Sequence, residues 1–417
     1  MRAIANVAPD NIEGEKAEEK QPRVEFNFPM LIVRTKRFAG VFDKLGSLRT
    51  SRYFSWLGLI LVPFVAGVAL YLVVNSLIAL LSNPGVGQVA RDLGPGAILL
   101  LPGINPMLPI VYGWIAIVCA IAIHEGAHGI IARNVGLKVK SSGLLFFLFV
   151  PIGAFVDVDE EQIKKARPRS ALKVMAGGVG ANIILAAVCL LGVLVLVGSL
   201  TPIIDNGVYI NEVTAGFPAQ TAGLMPKDVL ISIDNMKING TTDLRTILDN
   251  KTSGDILNVT VVRGENWQYQ FSTSVNLTVS QNRTIMGIMS SDLMTQARLD
   301  NYRTFSLERL SMYLVPPTLA SGLTPFSDSL AAFYSSPIPQ WQILANVLFW
   351  LWFVNFNLAI FNALPIYPLD GGRIFDITLK RAIGKRISEK AIRSITIGAT
   401  VACVALVLSV TILPFIM

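Results

Sequence analysis

The chain contains two histidines, His124 and His128, four residues apart in the stretch IVCAIAIHEGAHGIIA with Glu125 between them. On a helix, residues i and i+4 share a face one turn apart, so both imidazoles can reach a single cation. Zinc favours imidazole donors in a tetrahedral shell. Glu125 lies beside such a cation without being needed to hold it. Its carboxylate can take a proton from an attacking water and pass it to a leaving amine. Without a cation, two imidazoles and a carboxylate in so apolar a segment would be costly residents. The chemistry this pattern suits is metal-assisted hydrolysis.

Two imidazoles do not complete a catalytic zinc, which normally takes three protein donors and one open position. No third histidine exists. Cys119, Cys189 and Cys403 all fall in apolar segments without a CxxC pair, and read as packing residues. A carboxylate at the depth of the histidines is required. The apolar segments 54–81, 174–200 and 394–416 contain none, and 110–134 contains only Glu125. Asp370, in FNALPIYPLDGGRIF just after the segment 342–364, is the remaining candidate. Pro365 and Pro368 break a helix there, and Gly371-Gly372 allow an irregular turn.

The elements that must position these groups are membrane spans. Apolar residues make up 52% of the 417 and charged residues 15%, against roughly 25% charge in a soluble domain. Mean hydropathy is +0.55. The five apolar runs, 54–81, 110–134, 174–200, 342–364 and 394–416, each reach the ~20 residues that cross a bilayer. The Pro-broken stretch 306–335 is where a sixth would hide. A shorter run, 143–156, reads as a re-entrant or interfacial piece. The composition predicts a polytopic all-α membrane protein of about five to six transmembrane helices.

Lys and Arg concentrate in 30–52, 135–173 and 371–393, which the positive-inside rule places in the cytoplasm. The net charge of +7 therefore points to a membrane surface and not to nucleic acid. This threading puts 201–341 and the C-terminus outside. Asn239, Asn250, Asn258, Asn276 and Asn282 each open an Asn-X-Ser/Thr triplet, and none of the other asparagines does, which agrees with an extracytoplasmic segment. His124 then lies about 12 residues, or roughly 18 Å, from the outer end of its span, in the cytoplasmic half. Asp370 follows the inner end of a span running the same way. The first thirty residues show no cleavable signal peptide and read as a disordered cytoplasmic tail.

Alternating runs VLISI and LNVTVV predict strands, and TTDLRTILDN a helix capped by its Thr or Asp. Pro218-Ala219, Ala222-Gly223-Leu224 and Asp228 match a PA…AGL…GD pattern, so that this α+β insert resembles the PDZ domains of membrane and envelope proteases. Lys227 stands where those domains have glycine. The resemblance implies capture of an extended peptide end by strand addition.

HEGAH (124–128), NALPIYPLDGG (362–372) and AGGVGAN (176–182) together resemble the site-2 protease family of intramembrane zinc metalloproteases. They fit its HExxH, N-x2-P-x4-DG and G-x3-N patterns, with Gly178-Val179 where many relatives have Gly-Pro. The resemblance implies His124, His128 and Asp370 as Zn2+ ligands and Glu125 as general base. It implies that Asn182 and Asn362 position the substrate or polarise its carbonyl. The expected activity is an endopeptidase acting in or near the transmembrane segments of membrane proteins, in regulated proteolysis. A substrate helix must unwind to be cut, and GAFVDVD (153–159) alternates like an edge strand able to receive it. A non-proteolytic metal-binding transporter and a PDZ scaffold are the alternative classes.

The expected organisation is a tail (1–30), a first membrane part with the HExxH helix (31–202), a PDZ-like domain (203–290), an extracytoplasmic connector (291–340) and a second membrane part with the LDGG motif (341–417).

Overall fold

In the computed structural model, which describes residues 23–148, 150–264, 267–281, 283–306 and 309–417, five helices among those residues are long and apolar enough to cross a membrane. Helix α1 (Ala39–Gly46) leads into the first of these, α2 (Arg49–Ser82), and α3 (Pro84–Leu93) follows, capped by the Asn83 side chain. Next come α4 (Ile110–Asn134), α5 (Glu160–Lys165) and α6 (Pro168–Gly198). After the insert come α11 (Trp341–Ala363), α12 (Asp370–Ile383) and α13 (Glu389–Ile416). No helix of spanning length lies among the described residues of 306–335.

Helices α6 and α11 form the centre, packed on each other and on α4. Small residues set the spacing: a Cβ on Gly180 would lie 2.7 Å from the Gly58 Cα, so α2 and α6 meet backbone to backbone. Their shared core includes Val179, Val193, Ala345, Phe349, Trp350 and Ala359. By contrast α2 and α13 leave Phe64, Tyr71, Ile78, Val401 and Leu408 exposed, as the outer helices of a bundle in lipid do.

The stretch expected to be re-entrant is a hairpin, β3 (Val139–Phe147) and β4 (Val150–Val158). It belongs to an antiparallel sheet ordered β1-β2-β3-β4, with β1 (Val24–Asn27) and β2 (Met30–Thr35). The expected tail 1–30 is thus corrected at its end. Residues 24–27 pair with 30–33, and β2 continues the pairing onto β3; residues 1–22 lie outside the described residues. Among the described residues β4 is one edge of this sheet, on the side of α4, and β1 is the other.

The insert forms its own sheet, ordered β10-β9-β7-β6-β13 with β8 beside β7. The strands are β6 (Val208–Val213), β7 (Val229–Ile233), β8 (Met236–Lys237), β9 (Ile256–Arg263), β10 (Tyr269–Asn276) and β13 (Ile288–Asp292). The short pair β11 (Thr278–Ser280) and β12 (Arg283–Ile285) flanks it, with α7 (Pro218–Thr221) and α8 (Thr241–Asp249). Its core of Val208, Ile210, Leu230, Ile233, Leu257 and Val261 is separate from that of the bundle. The expected cap of α8 differs: Gly240 is the N-cap, and Asp292 on β13 accepts from the Thr241 N–H. The triplet asparagine Asn282 lies outside the described residues.

Residues 291–340 are a clamp built on aromatics. Helices α9 (Thr295–Arg303) and α10 (Leu310–Tyr313) bring Tyr302 and Tyr313 edge to face. The Tyr313 hydroxyl donates to the Tyr302 carbonyl at 2.6 Å, and Trp352 Nε1 on α11 donates to the Tyr313 carbonyl at 3.0 Å. Burial pushes the Tyr334 phenol up to about 12, and its hydroxyl donates to the Thr295 carbonyl. Phe333 stacks on Trp267 of the insert at 4.3 Å. The short pair β5 (Thr201–Pro202) and β14 (Tyr334–Ser335) joins the clamp to the end of α6.

Candidate metal centre

His124 and His128 lie on the face of α4 turned toward α6 and are buried, with side chains 8% and 11% exposed. Asp370 is the first residue of α12. Its Oδ2 lies 3.2 Å from Nε2 of His124 and 3.2 Å from Nε2 of His128. Two helices, α4 and α12, therefore bring together the two imidazoles and the carboxylate that elimination selected.

The residues after Asp370 explain its placement. A Cβ on Gly371 would lie 2.3 Å from the Ala363 carbonyl oxygen, and one on Gly372 would lie 2.4 Å from the Tyr367 nitrogen. The expected irregular turn is corrected here, because both glycines are helical residues of α12. They are glycines because the first turn of α12 rests directly on the backbone that ends α11. The chain breaks after Ala363, Pro365 and Pro368 keep it from resuming, and α12 starts against that break.

Four observations test whether these residues fit a metal ion. First, bonds of about 2.0–2.1 Å in a tetrahedron separate neighbouring donors by about 3.4 Å, close to the two 3.2 Å separations. Second, Nδ1 of His128 lies 2.8 Å from the Val174 carbonyl oxygen. A carbonyl only accepts, so Nδ1 carries the proton and neutral His128 presents a lone pair from Nε2. Third, Asp370 Oδ2 is buried without a hydrogen-bond partner among the described residues. Lone pairs facing an anionic oxygen at this distance repel unless a cation joins them. Fourth, a Cβ on Gly178 would lie 2.5 Å from both Nε2 atoms. The glycine on α6 keeps open the space where the donors converge. The set N, N, O is one that zinc accepts with a position left over.

Glu125 stands next to this cluster. A carboxylate oxygen of Glu125 and an imidazole nitrogen of each histidine lie within 4.8 Å of one another. Its Oε2, however, accepts the backbone N–H of Val156 at 3.1 Å. Asp370 is closer to both histidines, so Asp370 is the better third donor and Glu125 is held beside the cluster by β4. Val156 faces Ser142 across the hairpin, and its N–H, spent on Glu125, points to the β4 edge of the sheet.

Asn182 is one turn beyond Gly178 on α6, on the same face. It is fully buried, and neither atom of its amide has a partner among the described residues. Asn362 is half-buried on α11 and donates to the Leu358 carbonyl of its own helix at 3.0 Å. The structure thus gives neither amide a partner on another helix. The Val174 carbonyl, the Val156 N–H and the space at Gly178 were not assigned from sequence. The first two are backbone groups that any residue type supplies, whereas Gly178 was visible as part of a motif but not as a boundary of the metal space.

A buried His-His-Asp set with an adjacent carboxylate, carried by a bundle of apolar helices, defines a multi-pass membrane protein with the centre of a metallohydrolase. The model of Peptidase family M50 matches residues 112–407, and the chain belongs to that family, the site-2 protease family. An uncharacterised protein of Methanocaldococcus jannaschii is 27% identical over 83% of this chain and 76% of its own length. A Clostridium perfringens protein with a provisional zinc-metalloprotease name is 26% identical over 69% of this chain and 93% of its own. The membrane-bound transcription factor site-2 protease homolog of Arabidopsis thaliana is 24% identical over 34% of this chain and 29% of its own. Family and donor set together assign zinc as the cofactor and a membrane metalloprotease as the class.

Proposed function

We propose that this chain is an intramembrane zinc endopeptidase that hydrolyses peptide bonds in or near the transmembrane segments of membrane proteins. His124, His128 and Asp370 hold the ion, and Glu125 is the general base. The observation that carries this reading is the convergence of Asp370 Oδ2 on both Nε2 atoms in a space bounded by Gly178. When bound, zinc supplies Lewis-acid chemistry, polarising a carbonyl oxygen and making a water acidic enough to lose a proton near neutral pH.

The protein's own groups do the rest. Glu125 takes the proton and delivers it to the leaving amine, held in place by the Val156 N–H. The outer edge of β4, the expected GAFVDVD strand, receives the unwound substrate as an added strand. Contact between Glu125 and that edge sets the base beside the backbone to be cut. Asn182, whose buried amide is free to bond a carbonyl, positions the substrate, and Asn362 does so by exchanging its bond to Leu358.

In the bilayer we place the basic segments and the N-terminus in the cytoplasm, with the insert outside. His124 lies 14 residues into α4, about 21 Å along the helix, in the cytoplasmic half. The insert is read as PDZ-like. A cavity of 310 Å³ between α8 and the β12–β13 segment, lined by Phe217, Leu244, Leu248, Ile288, Arg245 and Arg283, suits an apolar peptide end whose carboxylate meets an arginine. Substrates of this kind fit regulated proteolysis.

The test is cleavage of a reporter transmembrane segment by the reconstituted protein and by Glu125→Gln. The variant is expected to keep its zinc and lose cleavage by a factor of about 100 or more. Equal cleavage by a zinc-loaded variant overturns the assignment.

A further inference from the structure

At the basic end of the bundle, α2, α6, α12 and the C-terminal end of α4 border an open hollow of 460 Å³. Arg167, Arg169 and Lys173 line it from the start of α6, Arg381 from the last turn of α12, and Trp56 and Val135 form its apolar wall. No carboxylate lines it. Among the described residues none of the four cations has a salt-bridge partner, whereas Lys140, Lys251, Arg263 and Lys380 elsewhere do. The Lys173 ammonium instead lies 3.9 Å over the Trp56 ring. Arg167, Arg169 and Arg381 are exposed, so water screens part of their mutual repulsion, yet four like charges around one acid-free hollow still make a positive patch that attracts an anion.

We propose that this cavity binds the phosphate of an anionic phospholipid headgroup. Three guanidinium groups offer the fork geometry that matches phosphate oxygens. The cavity opens where the apolar runs of α2 and α6 begin, which is the headgroup level of a bilayer. Trp56 is 42% exposed and lies seven residues into α2, where an interfacial indole sits. An apolar wall of Trp56 and Val135 suits the glycerol end of a lipid better than a free phosphate ion.

The site has a mechanical consequence. Arg381 lies eleven residues after Asp370 on α12, and Lys173 five residues before Gly178 on α6. These separations are about 16 Å and about 8 Å along their helices. An anion bridging the two fastens the far end of α12 to α6, and so steadies the end that carries Asp370. Binding itself does not depend on the protease assignment.

The experiment uses the full chain reconstituted in phosphatidylcholine nanodiscs that contain brominated lipid, with tryptophan quenching as readout. Trp56→Phe identifies the share of the signal due to Trp56. Brominated phosphatidylglycerol is expected to quench that share at a mole fraction at least about five-fold lower than brominated phosphatidylcholine. In Arg169→Gln/Arg381→Gln, checked for unchanged zinc content and melting, the preference should vanish. Equal quenching by the two lipids in the native protein overturns the proposal, and so does a preference that survives the double substitution. Relief of quenching by millimolar inorganic phosphate overturns the lipid source and makes free phosphate the ligand.

Discussion

A methyl group on Gly178 would lie 2.5 Å from both imidazole Nε2 atoms, in the space the metal needs. A Cβ at Gly126, inside the HExxH motif, meets nothing within 4 Å. The same substitution should therefore act oppositely at the two sites. Gly178→Ala is expected to lower zinc affinity by at least about tenfold, measured by metal content after dialysis against a chelator. Gly126→Ala should keep full zinc and gain up to about 1 kcal/mol of helix stability. Lys227 carries a second conformational signal. Its φ is +75°, in the left-handed region that favours glycine. Lys227→Gly should stabilise the insert by about 1 kcal/mol, read by chemical denaturation monitored through Trp267. At this scale the sequence was informative where chemistry belongs to side chains. The histidines declared themselves by spacing, and Asp370 by elimination. The groups that orient them did not, because a carbonyl at Val174 and an N–H at Val156 look like every other peptide unit.

At the scale of elements, the apolar runs located all five helices of spanning length among the described residues, but three of these begin more than a full turn before their apolar runs. Helix α2 starts at 49 and not 54, α6 at 168 and not 174, and α13 at 389 and not 394. All three starts are at the basic end. Hydropathy marks where lipid begins, whereas the helix continues outward through residues such as Arg52, Arg169 and Arg393 whose stems can stay apolar while their charges reach water. The strand β1 was hidden for a different reason. It is only four residues long, VEFN, too short for its alternation to stand out, and it is ordered by pairing with a neighbour that itself pairs with β3 more than a hundred residues later. The docking of α12 is the element on which the metal centre depends. A Cβ at Gly371 meets the Ala363 and Leu364 carbonyls, and relieving that contact lifts the first turn of α12. Gly371→Ala should accordingly reduce zinc affinity by about tenfold although residue 371 supplies no donor to the metal, with far-UV helicity unchanged. Full zinc retention would show that Asp370 is placed by something other than this contact.

For the whole molecule, the question is how the sheet of the insert and a buried metal centre are held in one frame. The clamp answers it: Phe333 stacks on Trp267 of the insert, Trp352 of α11 bonds the Tyr313 carbonyl, and β5 pairs with β14. The insert is thus fixed at the end of the bundle reached by the C-terminus of α6 and the N-terminus of α11. The metal centre lies nearer the other end, since His124 is ten residues from the end of α4 and Gly178 ten from the start of α6, about 15 Å in each case. The proposed threading puts that end in the cytoplasm on the strength of its charge: Lys380, Arg381, Lys385 and Arg386 follow Asp370, and Arg49 and Arg52 open α2. The opposed faces can be read directly with thiol chemistry. The native cysteines all lie on helices α4, α6 and α13, and Cys189 and Cys403 are buried, which keeps their background reaction low. Asn250→Cys, exposed at the end of α8, and Lys385→Cys, exposed just after α12, are placed at opposite ends of the bundle. In sealed cells a membrane-impermeant maleimide should label the first from outside and reach the second only after the membrane is opened. The reverse pattern would turn the molecule over, moving the metal centre to the outer half and the insert to the cytoplasm. Labelling of both from outside would remove the membrane barrier between them and with it the five-span threading.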